Sequence, residues 1–229
     1  MKADENMNEE ERQWRIKHAE MTTRVTLRHQ QPDDPPHITK IGDCINQLLR
    51  DQYQEEAKKQ LEEALGKYPD EPRLLKLMQV ILGVEGNHKE ARAFGYRAIK
   101  AAVEKSMGVD RREGMHIHIS IAINNLAMIA KLEGKTEATE VEALFLTAHF
   151  INPEHPDPIR NLAGLHAEYH RYESSWKFVQ LLVELMKKLP KPQQKEAISV
   201  LVHDLDLQNL RSNYKPFQEI LEEIKSMAD

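Results

Sequence analysis

The sequence has 229 residues, of which 40% are hydrophobic, 30% charged and only 6% aromatic. A chain of this length can bury a hydrophobic core of useful size, and its composition favours helices over a β-sandwich or barrel. The formal net charge of −5 leaves no excess of Lys and Arg to neutralise a phosphate backbone, so nucleic acid is not an expected partner.

Residues 1–36 have no regular apolar period and are predicted to form a flexible or partly helical N-terminal arm. Trp14 and Ile16 are candidates to anchor a short helix in this arm. The proline-rich stretch QPDDPPH at its end is predicted to be a stiff linker of polyproline character.

The sequence also predicts where the protein works. Its first residues lack the apolar stretch of a secretory signal, and no later segment contains 18 uninterrupted apolar residues. Cys44 is the single cysteine, so no internal disulfide can form and a cysteine-based zinc site lacks ligands. We therefore expect a cytoplasmic protein without membrane insertion.

Helical repeats are predicted over residues 37–190, beginning with two hairpins at about 38–71 and 72–105. Similar residues recur 34 positions apart in the pairs Ile41 and Leu75, Leu48 and Leu82, Ala57 and Ala91, and Ala64 and Ala98. Short side chains recur for a physical reason, because two helices approach to about 8–10 Å only where facing side chains are small. Gly86 is predicted to end a helix in the left-handed conformation.

Two less regular copies follow at about 116–155 and 156–190. Asn125-Leu126-Ala127 in the first of them corresponds to Asn161-Leu162-Ala163 in the second. Residues 103–116 interrupt the period before these copies, and we expect them to extend one helix and add a loop.

Residues 191–229 are predicted to form C-terminal capping helices. The stretches 191–210 and 214–227 each have the pattern of an amphipathic helix. The apolar stripe of the second consists of Phe217, Ile220, Leu221 and Ile224. Such helices would cover the last apolar face of a repeat array, which would otherwise meet water.

The pattern of small and turn residues resembles the tetratricopeptide repeat family. The residues that carry this resemblance are Ala57, Leu61, Ala64, Pro69, Gly86, Ala91 and Ala98. The resemblance covers about residues 38–190. It implies an all-α fold, a right-handed superhelical solenoid of antiparallel helix pairs, with about four repeats plus C-terminal capping helices.

In such a solenoid the first helix of each hairpin lines a concave groove. The side chains that this resemblance places in the partner-binding groove are Asn46, Arg50, Arg73, Lys76, Asn124, Asn125, Met128, Lys131, Arg160 and Asn161. Asn side chains can pair with the N–H and C=O groups of an extended peptide, while Arg and Lys can hold a carboxylate.

Part of this set resembles the carboxylate clamp of chaperone-binding members of the family. The clamp positions correspond to Asn46, Lys76, Asn125 and Arg160. Gly42 and Asp157 stand where that clamp would carry lysine, so a chaperone tail is not the favoured ligand.

We considered two chemical sites. His166 and His170 share a helical face, but the string HAEYH differs from H-E-x-x-H, and two ligands fall short of a closed zinc site. We interpret these histidines as packing and turn residues. Gly134-Lys135-Thr136 has the ending of a P-loop without its upstream glycine or preceding strand, so we interpret it as a turn between paired helices.

The sequence therefore predicts a non-enzymatic adaptor or scaffold, without catalytic residues, metal or cofactor, that binds a peptide segment or partner protein in the groove. One alternative is a chaperone for a secreted protein, which would need an apolar groove of the kind that Val80 and Met128 indicate. A less favoured alternative is a metal-dependent hydrolase built on His166, His170 and Glu168. Copies of the chain could also form a homo-oligomer through exposed terminal helices.

Overall fold

The computed structural model describes residues 33–107 and 112–226. Within these ranges the chain forms helices and no strand, which confirms the predicted all-α class. The α-helices are α1 (Pro36–Arg50), α2 (Gln54–Lys67), α3 (Pro72–Val84), α4 (His88–Met107), α5 (Met115–Glu133), α6 (Ala138–Ile151), α7 (Pro156–Glu168), α8 (Tyr172–Lys187), α9 (Lys191–His203), α10 (Gln208–Asn213) and α11 (Lys215–Ser226). Residues 1–32 of the predicted arm lie outside the described residues.

The helices divide between two compact units. The first unit contains residues 33–152 of the described chain, and the second contains residues 153–226. The repeat pattern of the sequence predicts a boundary at residue 190 instead, and that boundary stays a prediction. None of the described helices combines the length and the apolar character that crossing a membrane requires.

The first unit consists of three helix pairs, α1 with α2, α3 with α4, and α5 with α6. Connections of three or four residues join the helices of each pair, so the two members pack in opposite directions. The first helices also pack in succession, α1 on α3 and α3 on α5, while α2 and α4 each pack against the next first helix. This is the arrangement of antiparallel pairs that the resemblance to tetratricopeptide repeats implies.

Small residues hold these pairs close together. Ala57, Ala91 and Ala98 are fully buried and Ala64 is nearly so, as their recurrence in the sequence predicts. They pack in apolar clusters with larger buried side chains such as Leu61.

The turn inside each helix pair contains a residue in the left-handed conformation. Gly86 has a φ of 80° and Gly134 a φ of 63°, which confirms the turn predicted at each glycine. Gln52, with a φ of 65°, and His170, with a φ of 57°, adopt the same conformation without being glycine. The structure therefore repeats this turn even where the sequence omits its usual residue.

The interruption at 103–116 is anchored at both ends. Helix α4 continues to Met107, as predicted, and the backbone N–H of Arg112 donates to the carbonyl oxygen of Lys105 at 3.0 Å. The buried carboxylate of Glu71 accepts hydrogen bonds from Lys105 Nζ at 3.1 Å and from both terminal nitrogens of Arg112 at 2.9 and 3.0 Å. Burial opposes ionisation of Glu71, but these two cations outweigh it and lower the pKa of the carboxyl group. Residues 108–111 lie outside the described residues.

The second unit contains the pair α7 and α8, covered by the C-terminal helices. Phe217, Leu201 and Leu210 are fully buried in one apolar cluster with residues of α7 and α8, which agrees with the predicted capping role. The side chain of Ile224, predicted in the same stripe, is not among those described.

The prediction of a single helix over residues 191–210 is wrong. Helix α9 ends at His203, a 3₁₀ turn covers Leu205–Leu207, and α10 follows. Asp204 has extended backbone angles, and its carboxylate accepts a hydrogen bond from the backbone N–H of Asp206 at 2.9 Å. The Asp204 side chain thus stabilises a turn at the position where the predicted helix would have continued.

A buried amide in the first unit depends on a neighbouring glycine. Gln79 of α3 is fully buried, and its Nε2 donates to the carbonyl oxygen of Ala122 in α5 at 3.2 Å. A Cβ atom on Gly95 of α4 would lie 2.4 Å from that Nε2 and 3.0 Å from Leu126 Cδ2. Gly95 therefore makes room for the Gln79 amide between three helices.

We predict that Gly95→Ala lowers the free energy of unfolding by about 1–3 kcal/mol, because the new methyl group must displace Gln79 from its hydrogen bond. Urea denaturation would measure the change. Gly66→Ala is the matched control: apart from its chain neighbours and the backbone of its own helix, no heavy atom lies within 4 Å of the added Cβ, so the higher helix propensity of alanine should raise stability by about 0.5–1 kcal/mol. Equal effects of the two substitutions would contradict this packing.

Candidate functional site

Four charged or ionisable side chains meet inside the first unit, and we call them the Asp34 cluster: Asp34, Arg73, Lys76 and His118. Asp34 lies two residues before the start of α1, Arg73 and Lys76 lie in the first two turns of α3, and His118 lies in the first turn of α5. The three first helices run in the same direction because each pair reverses the chain. Their N-terminal ends therefore meet around the Asp34 carboxylate, where helix dipoles favour negative charge.

The carboxylate of Asp34 lies close to two of its neighbours. His118 Nε2 lies 3.0 Å from Asp34 Oδ1, and both side chains are only 1% exposed. Arg73 Nη1 lies 3.6 Å from Asp34 Oδ2, while its Nη2 donates to Asp43 Oδ1 at 2.6 Å. A Cβ atom on Gly42 would fall 2.3 Å from Arg73 Nε, so glycine at this position of α1 lets the guanidinium lie across the helix.

Burial sets the protonation of the cluster. It lowers the pKa of Lys76 to about 7, with Arg73 adding to the effect and Asp34 opposing it. Burial, reinforced by the charge of Lys76, lowers the pKa of His118 to about 4. His118 is therefore neutral at pH 7, and its Nε2–H donates to Asp34. Burial works against ionisation of Asp34, yet His118, Lys76 and Arg73 lower its pKa.

A row of amide groups continues from the cluster along α3 and α5. Gln79 lies one turn after Lys76, and its Oε1 accepts a hydrogen bond from Asn125 Nδ2 at 3.3 Å. Asn125 is only half-buried. Cationic and amide side chains therefore follow one another on neighbouring first helices.

The structure places eight of the ten predicted groove residues in the first unit. Two of these eight are buried, Lys76 and Asn124. The other six are half-buried: Asn46, Arg50, Arg73, Asn125, Met128 and Lys131. Only Arg73 and Lys76 belong to the Asp34 cluster. The role of these eight residues in binding a partner stays a prediction.

The other two predicted groove residues, Arg160 and Asn161, are buried in the second unit. Arg160 Nη1 donates to Asp204 Oδ2 at 3.3 Å, and Nη2 donates to Asn161 Oδ1 at 3.3 Å. Burial opposes the positive charge of Arg160, but Asp204 and Asp157 outweigh it and raise the pKa of the guanidinium. Arg160 thus ties α7 to the turn after α9.

The three residues of the hydrolase hypothesis are not arranged as a metal site. His166 is buried with its ring 5.3 Å from the ring of Phe178, whereas His170 lies in the left-handed turn, with Nδ1 2.9 Å from the Tyr172 hydroxyl. In the described ranges, no group of three or more His, Cys, Asp or Glu side chains is placed to hold a metal ion.

The residues of the chaperone hypothesis have polar neighbours. Val80 is 38% exposed on α3 directly after the buried Gln79, and Met128 is half-buried one turn after Asn124 and Asn125 on α5. An uninterrupted apolar lining, which that hypothesis requires, is not formed by these two residues.

Sequence reasoning missed two members of the cluster. Asp34 lies in the stretch interpreted as a linker, and His118 carries no motif that distinguishes it from a packing residue. The signal available for Asp34 was its position beside two prolines at the start of a helix, which fixes the direction of the chain there.

No family model and no curated protein matches the sequence. Among solved structures, the chain is similar to PilW, described as a widely conserved type IV pilus biogenesis factor, with 12% identity, a TM-score of 0.34, and 84% of this chain and 100% of that chain covered. It is also similar to pilF of Pseudomonas aeruginosa, with 14% identity, a TM-score of 0.34, and 82% and 96% covered. The pilus role is a property of PilW, and we take no partner or reaction from either protein.

We predict that His118 makes the protein less stable in acid. The unfolded histidine takes a proton near its ordinary pKa of 6.5 and the folded one only near 4, so the unfolded state binds more protons between these values. The stability from this difference is complete above about pH 6.5 and is lost as the pH falls towards 4. Urea denaturation across this range should show a shallower loss for His118→Gln than for the wild type.

His116→Gln is the matched control, because His116 lies two residues earlier on the same helix and is exposed. This variant should keep the pH dependence of the wild type. Parallel curves for the wild type and His118→Gln would contradict the buried, neutral state of His118.

Proposed function

We propose that the protein is a non-enzymatic adaptor whose first unit binds an acidic peptide segment of a partner protein along the first helices α1, α3 and α5. The observation that carries this proposal is the position of the Asp34 carboxylate between Arg73, Lys76 and His118. The chain's own carboxylate lies among these three side chains, so they form a surrounding that suits a carboxylate. A carboxylate of a partner would meet the same two basic side chains, Arg73 and Lys76, and the same N–H donor of His118.

The amide row supports the choice of a peptide as ligand. A side-chain amide carries both a donor and an acceptor, and can pair with the C=O and N–H groups of an extended backbone. Asn125 and Asn46 are half-buried on α5 and α1, so part of each side chain reaches the surface. A peptide could thus be held by its backbone at the amides and by an acidic side chain or terminus at the cations.

Three further features of the prediction remain part of this proposal. We place the protein in the cytoplasm, which agrees with Cys44 being a free, exposed thiol. We propose that it acts without chemistry of its own, since partner binding accounts for the cationic and amide side chains described above. A homo-oligomer stays a prediction.

The proposal predicts binding that depends on charge. The probe is a fluorescein-labelled decapeptide of alternating Ser and Asp with a free C-terminal carboxylate, titrated by fluorescence anisotropy. The wild type should bind it at least about tenfold more tightly than a decapeptide with Asn for Asp and an amidated C-terminus, and added salt should weaken the binding. Arg73→Gln should reduce the affinity by about tenfold or more.

Lys177→Gln is the matched control, because it removes one exposed positive charge from α8 in the second unit. Its affinity for the acidic probe should equal that of the wild type. Equal binding of the acidic and neutral probes would contradict the proposal, and so would an equal loss in Arg73→Gln and Lys177→Gln, which would indicate attraction by overall charge alone.

A further inference from the structure

The segment that carries Asp34 lies just before α1. We call residues 33–35 the strap. The backbone N–H of Asp33 donates to the carbonyl oxygen of Glu113 at 3.0 Å, and the Asp34 side chain reaches into the cluster. At Pro35 the strap joins the start of α1, where its carbonyl oxygen accepts the first helical hydrogen bonds. The side chain of Asp33 is exposed.

The fit of Asp34 to its surroundings is incomplete. Asp34 Oδ2, Arg73 Nε and His118 Nδ1 are all buried, and none of them forms a hydrogen bond with a residue that the structure describes. The distance of 3.6 Å between Arg73 Nη1 and Asp34 Oδ2 is also longer than a hydrogen bond. Buried polar groups are nearly always paired in folded proteins, so three unpaired atoms in one cluster are unusual.

An acid shaped for this position would bond differently. An Arg guanidinium can donate two parallel hydrogen bonds to one carboxylate, whereas Asp34 lies beyond bonding distance of Arg73 and Arg73 Nη2 is taken by Asp43. A carboxylate entering from a partner is free of the strap backbone, and can approach Arg73 at hydrogen-bonding distance. Replacing Asp34 by such a group would exchange one buried acid for another, so no cation would be left buried without a counter-charge.

We propose that Asp34 is an internal occupant of the carboxylate site, and that an acidic segment of the partner displaces it together with the strap. This inference rests on the proposed function and adds its regulation: the strap competes with the partner for the same cations. The apparent association constant for the peptide is then the intrinsic constant multiplied by the fraction of molecules in which the strap is released.

The experiment compares Asp34→Asn with Asp33→Asn, using the alternating Ser and Asp decapeptide and fluorescence anisotropy. Both substitutions remove one negative charge from the strap, but only Asp34 reaches the cluster. Asp34→Asn keeps the size of the side chain and an oxygen that can accept from His118. We expect it to bind the probe about tenfold more tightly than the wild type, with Asp33→Asn unchanged.

Two other outcomes separate the inference from the proposed function. Equal affinity of all three proteins for the acidic probe, still reduced by Arg73→Gln, would overturn displacement of the strap and leave the adaptor in place. Absence of binding in all three would overturn both. Circular dichroism establishes that each variant is folded.

A kinetic measurement on the wild type keeps the inference testable if Asp34→Asn does not fold. When the strap must leave before the peptide binds, the observed association rate levels off at high peptide concentration at the rate of strap release. Stopped-flow fluorescence should show this plateau for the wild type. A rate that rises linearly with peptide concentration, without a plateau, would contradict displacement of the strap.

Discussion

The first unit depends on the pairing of charges that have been taken out of water. A buried cation is costly unless an anion lies close to it, and Arg73 and Lys76 are brought together at the start of α3 where little solvent reaches them. Asp34 supplies the negative charge, and a neutral His118 completes its surroundings. The same requirement would make the proposed site selective, because only a group of negative charge could take the place of Asp34.

The second unit also contains a buried cation, Arg160, and its counter-charge is supplied by residues of the same unit. Arg160 is as deeply buried as Lys76, but it forms hydrogen bonds with Asp204 and Asn161. Asp204 at the same time stabilises the turn through Asp206. This ion pair is part of the folded unit and joins α7 to the C-terminal helices. We propose a ligand site at the Asp34 cluster and a structural role for Arg160 because Asp34 lies beyond hydrogen-bonding distance of Arg73, whereas Asp204 accepts a hydrogen bond from Arg160.

The sequence predicted the helix pairs because their determinants are local and repeat. Ala57 and Ala91 stand where helices must approach, and Gly86 stands where the chain must take a left-handed turn. The Asp34 cluster could not be found in this way, because its members lie far apart in the sequence: Asp34 and His118 are separated by 84 residues. The break of the C-terminal segment at Asp204 was missed for the same reason, since its partner Arg160 lies 44 residues earlier.

The central claim is that the charges of Asp34 and Arg73 depend on each other inside the folded unit. A double-mutant cycle of Asp34→Asn and Arg73→Gln, with the free energy of unfolding measured by urea denaturation, tests it most directly. We expect the loss of stability in the double variant to be smaller than the sum of the two single losses by roughly 1–3 kcal/mol, because removing either partner alone takes a close opposite charge from the other. Losses that add to within about 0.5 kcal/mol would show that the two side chains do not interact, and would contradict the account.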